Sequence, residues 1–138
     1  LTGVVTNWVL HATLAYFYIY NTNCEGQLPQ ITASNNALTY RTENTNITDS
    51  NVTVFRKGMT IFNASNPKLP FSTANLDKLL KAIADWYQTN APTANCTYTL
   101  NGTNMGIPTG GASNADIARI VSYYSAAGVT ATIIVRTS

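Results

Sequence analysis

Any hydrolytic triad in this chain has to use His11, because there is no second histidine. A histidine serves as general base only where a nucleophile and an orienting carboxylate converge on it. His11 lies inside an apolar run, where a structural role is the simpler reading. Glu25 and Glu43, or Asp49 with either, are the available carboxylate pairs for glycosidase chemistry. No motif gathers these acids, and solvated or capping roles account for them. Gly106-Ile107-Pro108-Thr109-Gly110-Gly111 leads into a helical pattern and could present N–H groups to an anion. It lacks the lysine of a phosphate-binding loop and reads as a surface turn. Tyr16, Tyr18 and Tyr20, with Tyr123-Tyr124, could stack on a sugar or a partner, although packing explains them more simply. A lone histidine and the lack of a Cys-x-x-Cys spacing argue against a metal centre. No catalytic residue, metal ligand or cofactor is expected.

The motifs that remain concern modification and compartment. Five sequons, at Asn46, Asn51, Asn63, Asn95 and Asn101, predict covalent N-glycans. Several would arise by chance in a chain so rich in Asn, Ser and Thr, but all five fall between positions 46 and 103 and leave both ends free for packing. Cys24 and Cys96 are the only cysteines. In a secreted domain such a pair is most economically a disulfide, worth about 4 kcal/mol for a loop of this length; two buried free thiols are the alternative. Charged residues make up only 10% of the chain, so solubility must come from neutral polar groups, as in an exposed surface coat. The net charge of +2 is too small and too scattered to favour nucleic acid or a membrane surface.

The elements that must position these residues begin with an unusual run. Leu1 to Tyr20 holds no charge apart from a possible His11 cation, no proline, and many β-branched and aromatic residues, which suits a pleated surface. Fully extended it would span roughly 65 Å, several times an ordinary strand. It must therefore bend into a second strand or leave its own domain to pair with another subunit. Helical spacing fits the same residues, so an amino-terminal helix of the type IV pilin kind is a rival; Thr2, Thr6, Asn7, His11 and Thr13 interrupt it too often for a membrane span. The run has no basic n-region and does not open on methionine, the pattern expected once a signal has been removed.

Farther on, Ile31 to Leu38, Asn51 to Phe55 and Met59 to Phe62 are candidate strands, the last two predicted as a hairpin around Arg56-Lys57-Gly58. Leu76, Leu79, Leu80 and Ile83 predict a helix capped by Thr73 or Asn75 and ended at Ala91-Pro92. Ile117, Ile120, Val121 and Tyr124 predict a second, capped by Ser113 or Asn114 and stopped by Gly128. Cys96 to Leu100 and Val129 to Arg136 are further strands. No internal repeat or linker is evident, and 138 residues make one domain.

This organisation resembles the subunit of archaeal thread filaments of the Sulfolobus type, whose architecture is similar to that of chaperone-usher pilins. It rests on an apolar, β-prone start, one short domain, dense sequons and few charges, and not on a signature motif. The resemblance implies a mainly β fold: an incomplete immunoglobulin-like or pilin sandwich with two short helices, completed by a strand from a neighbouring subunit. Residues 1–10 would then be the donor strand, with Leu1, Val4, Val5, Trp8, Val9 and Leu10 at the joint, and 11–138 the globular domain. Identical subunits would join head to tail in an extracellular filament with an adhesive role, by strand addition to an open sheet. A secreted sugar-binding or adhesin module is the alternative class.

Overall fold

The computed structural model of the protein describes all 138 residues. The apolar start does bend. It breaks into β1 (Thr2–Val4), β2 (Val9–Leu10) and β3 (Tyr16–Tyr18), and the chain then repeats the path as β4 (Asn23–Gln27), β5 (Gln30–Ile31) and β6 (Leu38–Arg41). A third turn comprises β7 (Asn46–Asp49) and β8 (Met59–Asn63). Two helix–strand units follow: α1 (Thr73–Thr89) with β9 (Cys96–Leu100), and α2 (Ala115–Ala126) with β10 (Ala131–Val135).

Every strand pairs with the strand above or below it in the coil, always in parallel. Thr2 lies opposite Asn23 and Val9 opposite Gln30, each 21 positions on, and Tyr16 lies opposite Thr39, 23 positions on. The molecule is thus a short solenoid with sheets ordered β1-β4-β7, β2-β5 and β10-β9-β8-β6-β3. Parallel neighbours need a long connection. Two further sides of the coil supply it in the first three turns and a helix supplies it in the last two.

The expected β-sandwich is therefore replaced by a mixed α/β fold. The predicted hairpin is absent, because alternation marks a strand without revealing the direction of its partner. Met59–Asn63 forms, but between two parallel neighbours. Asn51 to Phe55 forms no strand and instead sends Val52 and Phe55 into the core. Ile31 to Leu38 divides into the end of β5, a loop and the start of β6. An amino-terminal helix is not formed, and no helix is long and apolar enough to cross a membrane. Both predicted helices are present, with Ser72 rather than Thr73 or Asn75 capping the first through Asn75 N–H, and Asn114 capping the second through Asp116 and Ile117 N–H.

Residues 1–10, expected to act in trans, pair within their own chain. β1 lies on β4 and β2 on β5, and Val5 and Leu10 are buried in the common core. Three short strands joined by corners use up a length that one strand could not. No boundary separates 1–10 from the rest.

The coil carries an internal repeat after all. Phe17, Tyr40, Phe62 and Tyr98 are register partners on successive strands and form an inward ladder with ring centroids 5.3, 4.8 and 6.0 Å apart. The strand spacing of about 4.8 Å is also a stacking distance, so each ring seats the next. Four residues beyond the first three aromatics, Asn21, Asn44 and Asn66 turn the same corner with φ of 57°, 57° and 50°. This left-handed conformation is one that asparagine tolerates better than other side-chain-bearing residues. Asn44 Nδ2 donates to Asn21 Oδ1 at 2.8 Å, and the backbone N–H groups of Asn21, Asn44 and Asn66 bond the following turn at Glu43, Ser65 and Asn101.

Arg56, expected at a hairpin tip, is fully buried. Its guanidinium donates to the carbonyls of His11 (2.8 Å) and Leu14 on the first turn, and to those of Thr32 (3.2 Å) and Ala37 (3.4 Å) on the second. Its own carbonyl accepts from Tyr87 Oη on α1 at 2.6 Å. The side chain ties the third turn to the first two, the residue's carbonyl adds a helix, and burial lowers the guanidinium pKa from the ordinary arginine value.

Candidate functional site: the open first turn

β1, β2 and β3 are all edge strands, so one end of the solenoid exposes unpaired backbone on three sides at once. Leu1 O and Val5 N bond β4, Trp8 O bonds β5, and Ala15 O and Ile19 N bond β6. Strand alternation then turns the N–H and C=O groups of Thr2, Val4, Val9, Tyr16 and Tyr18 outward, away from the coil. Their side chains are exposed as well, at 62% for Val4, 65% for Val9 and 67% for Tyr16, beside Leu1 at 71%. Trp8 is half exposed, with its ring edge-on to Phe17 at 6.5 Å. Val5 and Leu10, expected at the joint, point into the core. The three edge strands are short, but together they leave a charge-free edge with no lysine, proline or covering element, which soluble proteins ordinarily protect.

Beside it, Tyr16, Tyr18 and Tyr20 form an exposed row on the outer face, with successive centroids 6.0 and 5.9 Å apart. Arg41 lies over Tyr20 at 4.3 Å and is paired with Glu43. The Glu43 hydrogen bond is the first cause of a raised Arg41 pKa.

The remaining candidates form no common site, although His11 follows β2 on the first turn and Glu25 lies opposite Val4. The exposed His11 ring bonds Thr13 through Nδ1 at 2.9 Å. Glu25 sits on β4. Asp49 pairs with Lys78 at 2.6 Å; burial pushes its carboxyl up, but hydrogen bonds from Lys78, Ser50 N–H and Gln27 outweigh that and hold it below the usual range. The glycine-rich turn meets a carboxylate from its own chain, since Thr109 N–H and Oγ1 donate to Asp77 at 2.9 and 2.5 Å.

Cys24 and Cys96 are buried and free. Cys24 lies on β4, in the second turn, while Cys96 lies on β9, two strands beyond β6 in a different sheet. Two strand spacings amount to roughly 9–10 Å, more than the about 7 Å between Cα atoms that a disulfide tolerates. Burial pushes the Cys96 thiol up to about 12.

Among the sequon asparagines, Asn51 and Asn95 are exposed and Asn46, Asn63 and Asn101 half-buried. Asn63 Oδ1 accepts from Ser65 N–H and Oγ, and Asn95 Oδ1 from Thr130 N–H.

Sequence reasoning missed Arg56 and the coil. The signal for the latter was legible as Phe17, Tyr40 and Phe62, each followed four positions later by asparagine. Comparison with known proteins finds no family model, no curated protein and no solved structure that matches this chain.

Proposed function

We propose that this chain is a structural module of an extracellular, glycosylated surface filament that associates with identical subunits through the open edge of its solenoid. The reading keeps the head-to-tail polymer implied by the archaeal thread resemblance but replaces strand donation with edge stacking. The observation that carries it is the charge-free, three-sided edge at β1, β2 and β3. An incoming strand layer would satisfy the outward backbone groups of Thr2, Val4, Val9, Tyr16 and Tyr18 and cover Leu1 and Trp8. Glycans at the sequons would coat the sides of such a fibre, and N-glycosylation would accompany export. Adhesion is the role in keeping with a neutral Asn/Thr/Tyr surface.

Sedimentation and negative-stain microscopy over a concentration series test the reading. Association by the wild-type chain should be lost in Val4→Lys/Val9→Lys, which places charge on the edge without entering the core. A monomer at every concentration, or equal association by the charged variant, refutes it. A second reading, a sugar-binding module, draws support from the exposed row Tyr16, Tyr18 and Tyr20; quenching of tyrosine fluorescence by a soluble polysaccharide, absent in Tyr18→Ala, would favour it.

A further inference from the structure

The end opposite the open first turn is also unfinished, and it complements the first. β10 is the other edge of the five-stranded sheet. Thr130 O bonds Cys96 N–H, so the backbone groups of Thr132 and Ile134 face β9 and those of Ala131, Ile133 and Val135 face outward. Beside β10, α2 leaves a shallow cleft of about 690 Å³ lined by Ile117, Ala118, Val121, Ser122 and Ser125, all uncharged. The two ends are also stacked in the same columns. α1 sits beneath β7, the last strand of the β1-β4-β7 sheet, and α2 lies against α1, so one column runs from β1 to α2 while the other runs from β3 to β10.

We infer that the occupant of the open first turn is the β10–α2 end of a second copy, joined in parallel with Ile133 of one copy opposite Phe17 of the next. This rests on the proposed edge association and specifies its polarity and register. Ile133 already extends the inward ladder as the register partner of Tyr98, and Phe17 begins it. With the two opposed, backbone polarity matches without adjustment: Ile133 N–H donates to Tyr16 C=O, and Tyr18 N–H donates to Ile133 C=O. Side-chain facing matches too. Thr132 and Ile134 are exposed on the outer face, as Tyr16 and Tyr18 are. In the other column, Val4 on β1 of the second copy rests on the uncharged face of α2, as β7 rests on α1 within one chain. Because the two surfaces differ, the contact does not close, and it propagates as a fibre.

Cysteine cross-linking distinguishes this joint from its rivals. Thr132→Cys and Tyr16→Cys place thiols on the same outer face, opposite each other across the joint, while native Cys24 and Cys96 are buried. Mixing the two single variants under mild oxidation should give one heterodimer, and the double variant a ladder of multimers. Each single variant alone, and the parent chain, should give none. The pair Ile134→Cys and Tyr18→Cys provides the same reading should the first fail to fold. Homodimers of Tyr16→Cys alone would show head-to-head pairing of two open turns, overturning the polarity while leaving edge association intact. Absence of cross-links from both pairs in a chain that sediments as an assembly overturns the register as well, whereas loss of assembly altogether refutes the parent reading.

Discussion

Replacing Arg56 with methionine should be among the most damaging single changes in the chain. The side chain is fully buried and gives its protons to four carbonyls on two turns, with no carboxylate to balance it. A hydrogen bond from a charged donor is worth about 1.5–3 kcal/mol, so the gross loss is on the order of 6–12 kcal/mol. Two effects reduce it. Methionine removes the several-kcal/mol penalty of burying an unpaired cation, and three of the acceptors belong to exposed residues, His11, Thr32 and Ala37, so water is expected to replace part of the guanidinium's bonding. Leu14 is only half-exposed, and its carbonyl remains poorly served. The net expectation is a loss of about 3–5 kcal/mol, carried by the carbonyls left without a donor. Urea unfolding followed by tryptophan fluorescence reads it, since Trp8 lies on the first turn and Trp86 on α1. At an m-value of about 2 kcal/mol/M, the midpoint should fall by about 2 M. Arg56→Lys keeps the charge but loses the planar fork, so it should fall in between. An unchanged midpoint in Arg56→Met would refute the idea that this residue ties the turns together.

Neither cysteine should react with a thiol reagent in the folded protein, both should react after unfolding, and reductant should leave stability unchanged; a mapped Cys24–Cys96 disulfide would contradict this. Because burial raises the Cys96 thiol to about 12, its contribution should be intact below the ordinary thiol pKa of about 8.5 and be lost as the pH rises towards 12; the difference between wild-type and Cys96→Ala unfolding curves at increasing pH separates it from the buried tyrosines, which burial also raises. Asn44→Ala should cost about 1–2 kcal/mol, because it removes a bond to Asn21 and places a methyl side chain at φ 57°, whereas Asn44→Gly should restore part of the loss in the same assay. Gly106→Ala should lower the melting temperature by several degrees, since the added Cβ would lie 2.4 Å from Thr73 N and neither backbone can yield cheaply; an unaltered transition would show that the loop gives way.

What the chain determines locally could be read from it. Leu76, Leu79, Leu80 and Ile83 recur at helical spacing beside capping residues, and α1 and α2 form where that pattern lies. Cys96 to Leu100 alternates and forms β9. The excess length of the first twenty residues, too great for one strand, was equally legible. What local pattern cannot carry is the identity of the partner. Residues 1–10 have the same alternation whether they pair with β4 and β5 or with another molecule, and Met59 to Asn63 the same whether their neighbours run parallel or antiparallel. That choice belongs to the register between turns, where Phe17, Tyr40, Phe62 and Tyr98 stack only if strands many positions apart lie one spacing from each other. Arg56 shows the same limit from the other side. Beside lysine and glycine it has the composition of an exposed turn, and only the convergence of four carbonyls from two earlier turns makes burial of its charge tolerable. Short-range periodicity specified the pieces, because side-chain facing repeats every two or 3.6 residues along the chain itself; the tertiary structure decided the stacking, because its contacts join residues that are distant in sequence.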